Sequence, residues 1–195
     1  MSLFSCVLFL CETADSLTEF FSMHKTVFSI ITTGFLFAAL LFGSFLQTRA
    51  EAVNDAVMYL QTKESSPWIT MALTAVGQNP DVSYLTSITS NSAIGLVAPI
   101  LALAAAGKDP RTFPDEDLVA KLKSFSDGTQ IGDVATMNDD IFGLLALLAV
   151  GESLDDSVIV QARNYIIANQ NEDGGWPFVI GGTSDTNMTA MAVWR

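Results

Sequence analysis

The sequence predicts an all-α fold assembled from repeated helical hairpins, and three observations carry that prediction. Apolar residues recur at helical spacing in several runs and nowhere in sustained two-residue alternation, so no sheet is expected. Glycine closes three apolar runs, at Gly77, Gly107 and Gly151, where a left-handed C-cap belongs. Asp127-Gly128 returns 46 residues later as Asp173-Gly174, and Asp139 returns as Asp185 at the same interval. Gly107 and Gly151 are 44 residues apart, which places a two-residue insertion between the copies. A repeat of this length is one helical hairpin, which cannot bury its apolar face alone and must stack on a neighbour.

In chain order, the first signal is a targeting segment. Lys25 precedes a continuous apolar run from Val27 to Leu46, and Ala50-Glu51-Ala52 follows as an A-x-A pattern. A secretory signal peptide over residues 23–52, with Val53 as the mature start, is expected. An uncleaved N-terminal anchor is the alternative, because about twenty apolar residues also span a bilayer. Met23-His24-Lys25 is an ordinary start for such a segment, so residues 1–22 are expected to be a gene-model extension. On either reading the domain is exported, secreted or anchored on the extracytoplasmic side.

The domain proper, residues 53–195, then alternates two kinds of helix. Trp68–Val76, Ile94–Ala106 and Asn138–Val150 are apolar nearly all round, as expected of inner helices buried on every side. Pro99 should kink the second of these or mark its first turn. Glu116–Phe125 and Asp156–Asn169 carry charge and read as outer helices. Their apolar stripes are Leu118, Leu122, Phe125 and Val158, Ala162, Tyr165, Ile166. Ser184 or Asp185 is expected to cap a further inner helix, because a side-chain oxygen there accepts an N–H with no helical partner. That helix is still open at Arg195, so the domain is expected to be truncated, with an apolar face exposed near Trp194.

One run, Arg163 to Trp176, reads R-N-Y-I-I-A-N-Q-N-E-D-G-G-W. Its Tyr165, Gln170, Gly174 and Trp176 resemble the QW repeat of the superfamily that contains squalene-hopene cyclases, other terpenoid cyclases and protein prenyltransferases. The resemblance covers about Asp115 to Arg195 by motif and Val53 to Pro114 by helical pattern. It implies an α/α toroid, here a partial barrel. In that family the glutamine bonds to and stacks on the tryptophan, which ties neighbouring outer helices together.

Composition and missing residue types narrow the chemistry. The net charge is −12 and no basic stripe relieves it, so the chain is not built for nucleic acid. Cys6, Cys11 and His24 are the only residues of their types, and all precede Val53. The Asp-Cys-His zinc set that the resemblance implies for a prenyltransferase therefore has no counterpart in the mature segment, nor has the cysteine of a thioester toroid. No metal, cofactor or disulfide is expected there.

Class II terpene cyclases protonate an alkene with the middle Asp of D-x-D-D-T-A. The run Asp185-Thr186-Asn187-Met188-Thr189-Ala190 keeps the first Asp and the Thr-Ala but has Asn187 at the acid. Met137-Asn138-Asp139-Asp140 keeps the final pair and lacks the first carboxylate. The plainer reading of both is an N-cap with first-turn acids favoured by the helix dipole.

These readings favour a non-catalytic module that binds a small-molecule or cell-surface ligand, as the cobalamin carriers of similar toroid fold do, with no membrane contact beyond the N-terminal segment. Asp139, Asp140, Asp185 and Phe178 are the candidate rim residues. Two alternatives stay open. One is the N-terminal part of a class II cyclase whose acid lies beyond Arg195. The other is a glycan-active toroid, which needs two carboxylates about 6.5–9.5 Å apart if it inverts. Asn187-Met188-Thr189 is formally a glycosylation sequon, at a predicted helix start.

Overall fold

A computed structural model describes residues 51–87, 90–113 and 116–193. The chain divides into two compact units, Met1–Met58 and Tyr59–Arg195. In the first, residues 51–58 are helical. The expected extension over 1–22 and all of the expected signal or anchor except Glu51 and Ala52 lie outside the described residues, as does Trp194. Among the described residues, no helix is long and apolar enough to cross a membrane.

The described chain is mostly helical. In order come α1 (residues 51–61), α2 (Pro67–Ala75), a 3-10 turn (Ser83–Ser87), α3 (Ala93–Ala105), α4 (Leu118–Lys123), α5 (Asn138–Ala149), α6 (Ser157–Ala168) and α7 (Thr186–Ala192). One element departs from the all-α expectation. β1 (Trp176–Pro177) pairs antiparallel with β2 (Ser184–Asp185), Trp176 opposite Asp185 and Pro177 opposite Ser184. Two residues per strand are too few to show alternation in a sequence, which is why the ribbon was not foreseen.

Local chemistry sets the helix ends. Ser66 caps α2 by accepting from the Ile69 N–H at 3.3 Å, with Pro67 at the first helical position, where its missing N–H costs nothing. Asp117 caps α4 through the Ala120 N–H at 2.8 Å, and Asp156 caps α6 through the Val158 N–H at 3.0 Å. Helices α2, α3 and α5 all end alike. Gly77, Gly107 and Gly151 take φ of 80°, 68° and 77°, the left-handed conformation that costs any residue with a Cβ about 1–2 kcal/mol. The residue after each glycine then donates five positions back, Gln78 to Leu73, Lys108 to Leu103 and Glu152 to Leu147, at 3.0, 2.9 and 3.1 Å. Pro99 sits well inside α3 rather than in its first turn, four residues after Gly95, whose carbonyl would otherwise take its N–H.

The packing is a row with flanking helices. Each of α2, α3, α5 and α7 packs on the next, while α4 rests on α3 and α6 on α5. The main core brings together Ile100 and Leu103 of α3, Leu122 of α4, Leu147 of α5 and Ile159 and Ala162 of α6, all at most 1% exposed. Burying each large aliphatic side chain contributes about 1.5–3 kcal/mol. A second cluster of Met137, Ile141, Ile166, Trp176 and Met188 joins α5, α6 and α7.

The expected stripes shift slightly. In α6 the buried set is Ile159, Ala162 and Ile166, so Val158 and Tyr165 lie half-buried beside it. In α4 Val119 joins Leu118 and Leu122 inside, while Phe125 lies past the helix end. Helix α5 is not buried on every side, because its last turn exposes Leu148.

An ion network ties the connections together. Arg111 Nη2 meets Glu152 Oε1 at 2.6 Å and also donates to the Val150 carbonyl at 3.2 Å. Lys123 Nζ bridges Glu152 Oε2 at 3.0 Å and Asp156 Oδ2 at 2.6 Å. The α3–α4 connection, the end of α4, the end of α5 and the start of α6 are thus joined through Glu152 and Lys123. The bonds from Arg111 and then Lys123 hold Glu152 below its ordinary range, despite partial burial. A depressed carboxylate stabilises the fold above its ordinary pKa of 4.5, and that contribution is lost as pH falls through its lowered folded value. Glu152→Gln is expected to cost about 1–2 kcal/mol at neutral pH, with the difference from the parent shrinking in acid and in about 1 M salt. Urea denaturation across pH checks it.

Candidate functional site

The glutamine–tryptophan run folds as the closure of α6 onto α7. Beyond the C-cap Asn169, the Asn171 N–H donates to the Gly175 carbonyl at 2.8 Å and the Gly174 N–H to the Asn171 carbonyl at 2.9 Å. The two glycines answer different constraints. Gly174 takes φ 84°, in open space. Gly175 is pressed against β2, where an added Cβ would lie 2.5 Å from Ser184 Oγ and 2.6 Å from Ser184 Cβ. Asp173 Oδ1 accepts both the Gly175 N–H at 2.9 Å and the Ser184 hydroxyl at 2.7 Å.

Trp176 follows at once, 7% exposed. Its indole N–H donates to the Ile166 carbonyl of α6 at 2.6 Å, and its backbone N–H to Thr189 Oγ1 of α7 at 2.9 Å. The exposed Gln170 donates its side-chain N–H to the Gly174 carbonyl at 2.8 Å. The resemblance implies a bond between the two side chains. In this structure the single indole donor goes to α6 backbone instead, and Gln170 closes its own loop. Tyr165 lies half-buried nearby, its hydroxyl pushed up by burial and then by the charges of Asp140 and Asp127.

Two loops pair beside the start of α5. Thr136 and Val179 form an antiparallel bridge, the Met137 N–H donates to the Phe178 carbonyl at 2.9 Å, and the Ile180 N–H to the Ala135 carbonyl at 3.0 Å. Phe178 therefore sits beside the start of α5, its side chain 45% exposed. Asp139 and Asp140 lie in the first turn of α5, behind Met137, whose side chain offers no cap. Both reach back to the preceding loop. Asp140 Oδ1 accepts from the Ile131 N–H at 2.8 Å, and Asp139 Oδ2 from the Asp133 N–H at 3.2 Å. Gly132, at φ 81°, passes so close to the Asp139 carboxylate that a Cβ there would collide with it.

Asp140 is the unusual group. It has no exposed surface, and among the described residues its Oδ2 has no hydrogen-bond partner. Burial pushes it up to about 7, the Ile131 N–H pulls it down, and the charges of Asp139 and Asp127 raise it further. Burial raises Asp139 as well, against the bond from Asp133. Asp185 behaves differently. It is the N-cap of α7, accepting from Asn187 and Met188 N–H groups at 2.8 and 2.9 Å. The 46-residue spacing thus relates a first-turn acid to a capping acid rather than two equivalent sites.

The expected rim residues are only partly gathered. Asp139 and Asp140 open α5, Asp185 opens α7, and these two helices pack together. A cleft of about 420 Å³ is lined by Asp173, Gly175, Ser184, Asp185, Thr186 and Thr189, without Asp139, Asp140 or Phe178 in its walls. A second cleft of about 220 Å³ lies between α2 and the segments around Lys63 and Asp81, away from the motif. A general acid must reach the atom it protonates, and Asp140 has no exposed surface. Among the described residues, no group of three or more His, Cys, Asp or Glu is arranged to hold a metal.

Asn171 and Thr189 were not foreseen as the residues that hold the closure together, and Ser184, expected as an alternative cap, serves the closure while Asp185 caps α7. Asn171 Nδ2 donates to Ser184 Oγ at 3.0 Å and to the Gly182 carbonyl at 3.2 Å. The available signal was their type, since short polar side chains beside a glycine turn bond readily to local backbone. No family model, curated protein or solved structure matches the chain.

A carboxyl raised above its ordinary 3.8 binds its proton more tightly in the fold than in the unfolded chain. Its contribution therefore favours the fold in acid and is withdrawn as pH rises through about 7. Asp140→Asn keeps the acceptor for Ile131 and carries no charge. The parent is expected to lose about 2–3 kcal/mol more than this variant between pH 5 and pH 8 in urea denaturation. Parallel profiles for the two proteins would contradict the assignment.

Proposed function

We propose that this chain is an exported binding module on an α/α toroid related to terpenoid cyclases and prenyltransferases, and that it holds its ligand without catalysis. One observation carries the reading. Each carboxylate at a cyclase-like position is committed to the main chain, Asp139 to Asp133, Asp140 to Ile131 and Asp185 to the start of α7. Acids engaged in this way shape a surface and are poorly placed to deliver protons.

The toroid part is supported by the row of α2, α3, α5 and α7 with α4 and α6 on its flank, and by the 46-residue hairpin interval. Export is supported by the apolar run behind Lys25 and the Ala50-Glu51-Ala52 pattern. The ligand, a small molecule or a cell-surface group, would sit at the rim formed by the loops before α5 and α7. No resident cofactor or metal enters this reading.

The test is thermal melting of the full chain against linear isoprenoids and oligosaccharides, with mass-spectrometric analysis of each incubation. Binding of one class with the ligand recovered unchanged is the expected result. A cyclised isoprenoid would overturn the reading in favour of a cyclase, and a cleaved glycan in favour of a glycan-active enzyme.

A further inference from the structure

The loop before α5 is fastened to that helix by two acids. The Ile131 N–H donates to Asp140 Oδ1 at 2.8 Å and the Asp133 N–H to Asp139 Oδ2 at 3.2 Å. The backbone bonds that close residues 125–132 stay within the loop, Asp127 N–H to the Gln130 carbonyl at 3.2 Å and Gly132 N–H to the Phe125 carbonyl at 3.1 Å. The Ile131 side chain, fully buried, lies against Gly143 of α5.

Asp140 is a costly fastener when charged. It has no exposed surface, and among the described residues its Oδ2 meets no donor. Neither does Oε1 of Gln130, a residue 3% exposed whose Nε2 donates to the Gly132 carbonyl at 3.0 Å. Both oxygens only accept, and a neutral carboxyl brings the donor that a carboxylate lacks. A buried charge left half-paired outweighs the single bond from Ile131. Burial accordingly pushes Asp140 up to about 7.

The groups that face it add to the cost. After burial, the charges of Asp139 on α5 and Asp127 in the loop raise it further. Asp139 is itself raised by burial and by the charge of Asp133. From α6 come Tyr165 and an exposed Arg163, while α3 and α7 carry no titratable side chain. Lys121 and Lys123 of α4 are held by Glu116 and by Glu152 with Asp156.

We propose that Asp140 makes this loop a proton-operated latch: residues 126–133 stay closed on α5 while the carboxyl holds its proton, and swing off when that proton passes to water. A solvated aspartate ionises near 3.8, so between that value and about 7 each opening releases one proton. The segment continues through Ala135 to the bridge with Val179, so release also loosens the pairing of the two loops. The latch is independent of any ligand.

Hydrogen exchange of the full chain, followed by NMR at the Ile131 and Ile180 amides, reads the latch. One proton per opening predicts protection that falls about tenfold for each pH unit from about 5 to 7, after correction for intrinsic exchange, and levels off above. The Leu103 amide of α3 is expected to exchange more slowly at every pH. Asp140→Asn keeps the acceptor and cannot ionise, so its profile is expected to flatten. Asp127→Asn keeps the turn acceptors and removes a facing charge, so levelling off moves to lower pH, while the remote Asp155→Asn leaves it unchanged. At about pH 6 the parent is also expected to show the infrared band of a protonated carboxyl that Asp140→Asn lacks.

A flat profile in the parent, an undiminished slope in Asp140→Asn, or equal infrared bands in the two proteins would overturn the latch. Equal exchange rates at Ile131 and Leu103 would do so as well, because the opening would then be global unfolding. If Asp140→Asn does not fold, the parent's own profile decides.

Discussion

Much of the second half of the described fold converges on the burial of Trp176. Its ring lies among Met137 and Ile141 of the α5 end, Ile166 of α6 and Met188 of α7. Its two N–H groups run in different directions, the indole to the Ile166 carbonyl and the backbone to Thr189. A buried indole without an acceptor would cost about 1–3 kcal/mol, so the end of α6 must present a carbonyl at that point. The two-glycine turn follows from the same demand. Gly174 reverses the chain, and Gly175 lets it pass against Ser184, so that Trp176 enters the cleft between helices immediately after α6 ends.

The paired loops inherit their shape from that anchoring. With Trp176 and Pro177 buried, Phe178 and Val179 emerge beside the loop before α5, and backbone bonds to Met137 and Ala135 join the two loops. The acids of α5 then face backward into their own loop rather than outward. Burial raises Asp140 to about 7 in doing so, while hydrogen bonds hold Asp127 and Asp173, each exposed at a turn, below the ordinary carboxylate range. Burial separates carboxylates that work as internal struts from those that define the surface field.

The sequence was legible where local chemistry decides the outcome. Gly77, Gly107 and Gly151 announced three helix ends because only glycine adopts their φ cheaply, and Asp185 announced a cap because of its type. The apolar runs of α2, α3 and α5 announced helices, but composition overstated their burial, since Trp68 of α2 and Leu148 of α5 are exposed. Less was legible where the answer depends on long-range contacts. The acceptor of the Trp176 indole, the backward reach of Asp139 and Asp140, and the pairing of Thr136 with Val179 join residues brought together only by the completed fold. Of the expected rim residues, Asp139 and Asp140 turn back into their own loop and Asp185 caps α7, while Asp127, Asp133 and Asp173 lie exposed at turns.

The central claim is that Trp176 is a structural clamp rather than a ligand contact, and the melting of Trp176→Ala tests it most directly. Loss of its packing predicts destabilisation of about 3–5 kcal/mol, with a matching fall in melting temperature. A folded variant with unchanged melting and abolished ligand binding would contradict the account.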